Sequence, residues 1–125
     1  MTPLEKLNVV VLAYLECVDF TDLGPDCEFS SKEFAPETVL KAASECADFL
    51  SQALTTCPDY FNLGRGESPR DRLVMLGHDF WLTRNRHGAG FWDRGLGALG
   101  ETLSDMAKVH GAQGTYEADG LVYLE

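Results

Sequence analysis

The residues best equipped for chemistry fall together in His78 to Gly95, His-Asp-Phe-Trp-Leu-Thr-Arg-Asn-Arg-His-Gly-Ala-Gly-Phe-Trp-Asp-Arg-Gly, which holds both tryptophans, two of the three histidines and three of the ten Lys/Arg. His78, Asp79, His87 and Asp93 are of metal-ligand or acid–base type. Arg84, Arg86 and Arg94 are of the type that grips a phosphate or carboxylate. Their spacing fits no motif with a known mechanism: there is no His-Glu-x-x-His and no histidine pair at i, i+4 on one helix. Helical geometry directs His78 about 140° and Asp79 about 240° from the centre of the apolar stripe, so these neighbours point apart and form no dyad unaided. A nucleophilic hydrolase is disfavoured too, since there is no Gly-x-Ser-x-Gly and no cysteine in a glycine-rich turn beside a histidine. Gly95, Gly97 and Gly100 have the spacing of a dinucleotide-binding turn, but nothing before them reads as a strand. No catalytic residue, metal ligand or cofactor is therefore assigned.

Two roles remain for the segment. As structure, it must satisfy the backbone groups of a long loop between core helices, and His, Asn, Asp and Arg side chains do that. Arg84 would complement a helix dipole, Asn85 would end the helix, and Gly88-Ala89-Gly90 would turn the chain so that Phe91 and Trp92 reach the core. As a recognition surface, Arg84, Asn85, Arg86, His87, Trp92, Asp93 and Arg94 form the candidate binding set, because Arg and Trp dominate binding hot spots. An alternative places His78, Asp79, Arg84, Asn85, His87, Trp92 and Asp93 around one pocket, making the chain a small enzyme or ligand-binding domain.

The elements that must position these residues read as an α+β, mostly α single domain spanning all 125 residues. About four helices are expected around a central one at about 69–85, with a C-terminal β-hairpin. Thr2-Pro3-Leu4-Glu5 has the order of a capping box, opening a helix of about 16 residues whose inner stripe is Leu4, Leu7, Val11, Tyr14, Leu15 and Val18. Val9 and Val10 lie off that stripe, either covered by a neighbour or forming an exposed contact. Pro36 opens a second helix with Val39, Ala43, Cys46, Leu50, Ala53, Leu54 and Cys57 inward, widened by Leu40 and Ala47, and Pro58 stops it. Residues 59–67 read as a loop. Ser68-Pro69-Arg70-Asp71 starts the central helix, with Leu73, Leu76, Gly77, Phe80 and Arg84 on one side and Met75 and Leu82 nearly opposite. Gly77 there implies another element passing very close. A last helix over about 96–110 turns Leu96, Leu99, Leu103, Met106 and Ala107 inward, with His110 closing the stripe as a core or capping residue and Gly111 as its stop. The hairpin pairs Ala118 with Leu121 and Tyr116 with Tyr123 across Asp119-Gly120, and those four are expected to face the helices.

The formal net charge is −10. Residues 1–62 carry 3 Lys/Arg against 11 Asp/Glu, residues 63–94 carry 6 against 4, and residues 95–125 carry 1 against 5. Such acidity opposes direct binding to nucleic-acid phosphates and suits docking on a basic surface, including one meant for nucleic acid. Glu16, Asp19, Asp22, Asp26, Glu28, Glu33 and Glu37, in a stretch read as a loop with turn residues, form the candidate acidic contact surface. No stretch has the length of a membrane span or the order of a signal peptide, so a cytoplasmic protein is expected. Cys17, Cys27, Cys46 and Cys57 are irregularly spaced and are expected to be free thiols. Nothing in the sequence sets an oligomeric state.

His78-Asp79-Phe80-Trp81-Leu82-Thr83-Arg84-Asn85, followed by His87-Gly88-Ala89-Gly90-Phe91-Trp92-Asp93-Arg94-Gly95, resembles a signature of small uncharacterised proteins encoded by tailed bacteriophages. The likeness extends more loosely to the opening helix, to Ala35-Pro36-Glu37, to the last helix and to the hairpin from Tyr116 to Tyr123. That pattern usually has a glycine where this chain has Arg86. The resemblance implies an accessory protein expressed in the cytoplasm of a bacterial host, and it brings no activity or catalytic residue. Together with the acidity, it leads to an expected function: binding a host protein or nucleoprotein complex with a basic surface, as in inhibition of a nucleic-acid-handling defence complex of the CRISPR kind.

Overall fold

The computed structural model describes residues 1–23, 33–63 and 66–125. In chain order these form α1 (Pro3–Val18), a π-helical turn (Asp19–Leu23), β1 (Glu33–Phe34), α2 (Pro36–Thr56), α3 (Tyr60–Leu63), α4 (Pro69–Arg84), a 3-10 turn (Phe91–Asp93), α5 (Ala98–Val109), β2 (Thr115–Ala118) and β3 (Leu121–Leu124). The architecture is α+β and mostly α, with a small three-stranded sheet. The helix starts follow the local chemistry. Thr2 Oγ1 accepts from Glu5 N–H and the Glu5 carboxylate accepts from Thr2 N–H, closing the capping box, while Ser68 accepts from Asp71 N–H.

Helix α4 is the central element, packed on α1, α3, α5 and the 3-10 turn. Gly77 sets the closest approach to α1: a methyl group there would lie 2.5 Å from the Val10 carbonyl oxygen and 3.0 Å from the Ala13 Cβ. This contact buries Val9 and Val10, which the periodicity of α1 alone had placed off the inner stripe, and leaves Leu4 exposed. Around it lies an aromatic cluster. Phe49 of α2 stacks on Phe80 of α4 at 4.2 Å, Phe80 meets Tyr14 of α1 at 5.3 Å, and Tyr14 meets Trp81 edge-on at 5.3 Å.

Several sequence expectations are corrected. The buried side of α2 is Thr38, Ala42, Cys46, Phe49, Leu50 and Ala53, whereas Val39, Leu40 and Leu54 are exposed. The large Phe49 ring, locked in the aromatic stack, fixes the rotation of that helix. The acidic stretch read as a loop begins inside α1, continues through the π-turn and includes β1, and residues 60–63 of the next loop form α3. Thr21 Oγ1 donates to the Cys17 carbonyl and accepts from Trp81 Nε1, both at 2.8 Å, which ties the π-turn to α4.

The hairpin has the expected register, Ala118 opposite Leu121 and Tyr116 opposite Tyr123. Its Asp119-Gly120 turn has both φ angles positive, at 52° and 79°. Its inward face is the opposite of the expected one: Val122 and Leu124 are buried, while the stacked Tyr116 and Tyr123 lie on the outer side with Tyr116 half exposed. The parallel pairing of β1 with β3 and the hydrogen bond from Thr38 Oγ1 to the Val122 carbonyl draw the Val122 side onto α2. Cys17, Cys46 and Cys57 are buried, and burial pushes the Cys46 and Cys57 thiols above their usual range.

Candidate functional site

The C-terminal half of α4 and the loop after it distribute the conspicuous side chains over three places. The first is the interior. Arg84 is almost wholly buried, donating from Nε to the Gly111 carbonyl (2.8 Å), from Nη2 to the His110 carbonyl (3.0 Å) and from Nη1 to Tyr14 Oη (3.0 Å) and Glu45 Oε2 (2.8 Å). Its guanidinium therefore caps the C-terminus of α5 and ties α1 and α2 to α4. The helix whose dipole it complements is not its own. Burial raises the Tyr14 hydroxyl well above the usual phenol range, so it stays protonated. His110 packs edge-on against Phe80 at 5.0 Å, and burial followed by the Arg84 charge lowers its pKa. Asn85 is also engaged within the fold, donating to the Trp81 carbonyl and accepting from Gln113 N–H at 2.7 Å.

The second place is a cleft of about 500 Å³ between α1, the π-turn and α4, lined by Glu16, Cys17, Phe20, Thr21, His78, Asp79, Leu82, Ala89 and Arg94. Asp79 is buried and accepts from Arg94 Nη2 at 2.9 Å, and that bond raises the arginine pKa. His78 Nε2 stands 3.3 Å from Glu16 Oε1 without hydrogen-bond geometry. Arg94 Nε is a second buried nitrogen with no hydrogen-bond partner.

The third place is a groove of about 380 Å³ lined by Thr83, Arg86, His87, Trp92 and Lys108. Its rim begins at the end of α4. Asn85 is the cap, Arg86 N–H donates to the Thr83 carbonyl (3.1 Å), and His87 N–H donates to the Leu82 carbonyl (3.0 Å). These two bonds are those of a Schellman ending, which puts Arg86 in the left-handed position at φ 56°. The loop then returns along Thr83, whose Oγ1 accepts from Phe91 N–H. Gly90 fits against that hydroxyl, where a Cβ would collide, and would also come within 3.2 Å of Trp92 Nε1. Phe91 enters the core, as the sequence leads one to expect. Trp92 does not, and stays 54% exposed, because the 3-10 turn aims consecutive side chains in different directions.

Of the seven residues expected around one pocket, His78 and Asp79 reach the cleft, His87 and Trp92 reach the groove, and Arg84 and Asn85 are engaged within the fold; Asp93 is exposed and lines neither. In the candidate binding set, Arg86, His87 and Trp92 come together and Arg94 faces the other side of α4 with Asp79. In the candidate acidic surface Glu16, Glu33 and Glu37 are exposed and Asp19 is partly exposed; Asp26, Glu28 and the side chain of Asp22 lie outside the described residues. Sequence reasoning missed Lys108, which reaches the groove from α5, and Glu45, a charge on the buried side of α2 whose position beside Ala42, Cys46 and Phe49 was the available signal.

Among the described residues no group of three or more His, Cys, Asp and Glu side chains has the geometry to hold a metal ion, and no helix is long and apolar enough to cross a membrane. The fold and the three sites thus define a mostly helical α+β domain whose charged signature is divided between internal ties and two surface depressions. No protein-family model, curated protein or solved structure matches the chain.

Proposed function

We propose that this chain is a non-catalytic binding protein of the bacteriophage accessory kind, acting in the cytoplasm of a bacterial host on a macromolecule with a basic surface. The observation that carries this reading is the fate of the signature's polar side chains. Arg84, Asn85 and the Asp79–Arg94 pair are engaged with the fold itself. The strong negative charge is meanwhile carried outward, with Glu16, Glu33 and Glu37 exposed. In its narrowest form the reading makes the partner a nucleic-acid-handling defence complex, whose phosphate-binding surface an acidic protein would occupy.

The test is affinity capture from bacterial lysate at low and high salt, comparing the native chain with a variant carrying Glu16→Lys, Asp19→Lys, Glu33→Lys and Glu37→Lys. A stoichiometric partner retained only by the native chain, and less at high salt, is the expected result. Retention of the same partner by both proteins at both salt concentrations would refute acidic docking.

A second reading, a small enzyme or ligand-binding domain, draws on the cleft beside the π-turn, where His78 Nε2 and Arg94 Nε are buried without hydrogen bonds. A compound that raises the melting temperature of the native chain and leaves a folded His78→Ala variant unshifted would favour it.

A further inference from the structure

Arg86 occupies a backbone conformation that an L-residue adopts at a cost and glycine adopts freely. The arginine side chain there is exposed and, among the described residues, forms no hydrogen bond or ion pair that would offset the cost. Such local strain is characteristic of positions held for function. The side chain joins Lys108, which is exposed and in no salt bridge among the described residues, on the rim of the groove over Thr83. His87 also lines the groove, and the half-exposed Trp92 indole supplies a flat apolar wall.

We propose that this groove binds a mononucleotide, with the phosphate held by Arg86 and Lys108 and the base lying on the Trp92 indole. Two cations and an aromatic face are the complement of a phosphate joined to a planar ring. A volume of about 380 Å³ falls in the range of small-molecule sites. The helix ends nearby do not oppose the anion strongly, because the carbonyls at the end of α5 are capped by Arg84 and those of Leu82 and Thr83 are taken up by the Schellman bonds. The net charge of −10 decides between nucleotide and strand: it repels a polyanion far more than one phosphate. The inference is independent of the acidic docking proposed above.

The reporter is built in, since Trp81 is wholly buried and Trp92 is the accessible indole. Titrating the native chain with AMP is expected to quench Trp92 fluorescence saturably, at a dissociation constant of about 0.1–1 mM. Adenosine, lacking the phosphate, should bind at least about tenfold more weakly, as should the Lys108→Ala and Arg86→Gly variants toward AMP. Arg86→Gly should at the same time melt about 2 °C higher than the native chain, because relief of the left-handed strain exceeds the added freedom of the unfolded glycine. A residue with a merely structural role would lose stability along with binding. The proposal is overturned if quenching does not saturate, if adenosine matches AMP, if Arg86→Gly or Lys108→Ala binds as well as the native chain, or if Arg86→Gly melts lower. A 5′-phosphorylated single-stranded oligonucleotide binding more tightly than AMP would overturn the mononucleotide assignment in favour of a strand end.

Discussion

Replacing Arg84 by Met keeps most of the side-chain volume and removes the guanidinium, which tests whether this residue is an internal tie. Four acceptors lose their donor together: the carbonyls of His110 and Gly111, the Tyr14 hydroxyl and the Glu45 carboxylate. Glu45 suffers most, because its side chain is only 19% exposed and its second oxygen already lacks a hydrogen bond. Hydrogen bonds to a charged group are worth about 1.5–3 kcal/mol each, but four on one side chain are far from additive. Removing one partner of a buried pair costs about 3–5 kcal/mol, and that is the expected loss for Arg84→Met. Against a total stability of about 5–15 kcal/mol for such a domain, this is about a fifth or more of the whole. Urea unfolding at neutral pH measures it: with an m-value of about 1.5 kcal/mol/M, the midpoint should fall by about 2–3 M. Glu45→Gln, which leaves the other three bonds in place, should cost less, and the double variant should show a coupling of about 1–3 kcal/mol. A loss below about 1 kcal/mol in Arg84→Met, with m unchanged, would refute the tie and return Arg84 to the set of residues available to a ligand.

Gly77→Ala should destabilise by about 1–3 kcal/mol in the same assay despite the better helix propensity of alanine, since the new methyl meets the Val10 carbonyl at 2.5 Å; a stabilised variant would show that α1 moves away at no cost. His110 has a lowered pKa through burial and Arg84, so the unfolded chain takes up its proton at a higher pH than the folded one. The stability it contributes is complete above the unfolded value of about 6.5 and is lost as pH falls through the lowered folded value. Urea midpoints between about pH 8 and pH 5 should therefore fall less steeply in His110→Gln than in the native chain, and equal slopes would contradict the assignment. In a Cys27→Ser variant, Cys17, Cys46 and Cys57 should react with a thiol reagent only after unfolding; rapid labelling of Cys46 in the native state would contradict its burial.

Local chemistry alone determined a good deal of this protein. Caps at Thr2 and Ser68, the prolines that open α1, α2 and α4, the Asp119-Gly120 turn and the left-handed Gly111 act within a few residues of themselves, so the starts of those three helices and the hairpin register are legible without the fold. Gly77 likewise announced a close neighbour. What the sequence left open depends on which face each element shows to another. The rotation of α2 about Phe49, the burial of Val9 and Val10 and the inward face of the hairpin are decided by partners remote in sequence, and adjacent residues in a strand or on a broad helix face are nearly equivalent until those partners arrive. The same reason governs the signature segment. Arg84 and Arg86 stand two residues apart, yet the first is turned inward by Glu45, Tyr14 and the end of α5, while the second is turned outward past the last turn of α4 toward Lys108. Residue type supplied the charges; only tertiary packing divided them between internal ties and an open groove, because a buried guanidinium needs acceptors from several elements at once and an exposed one needs none.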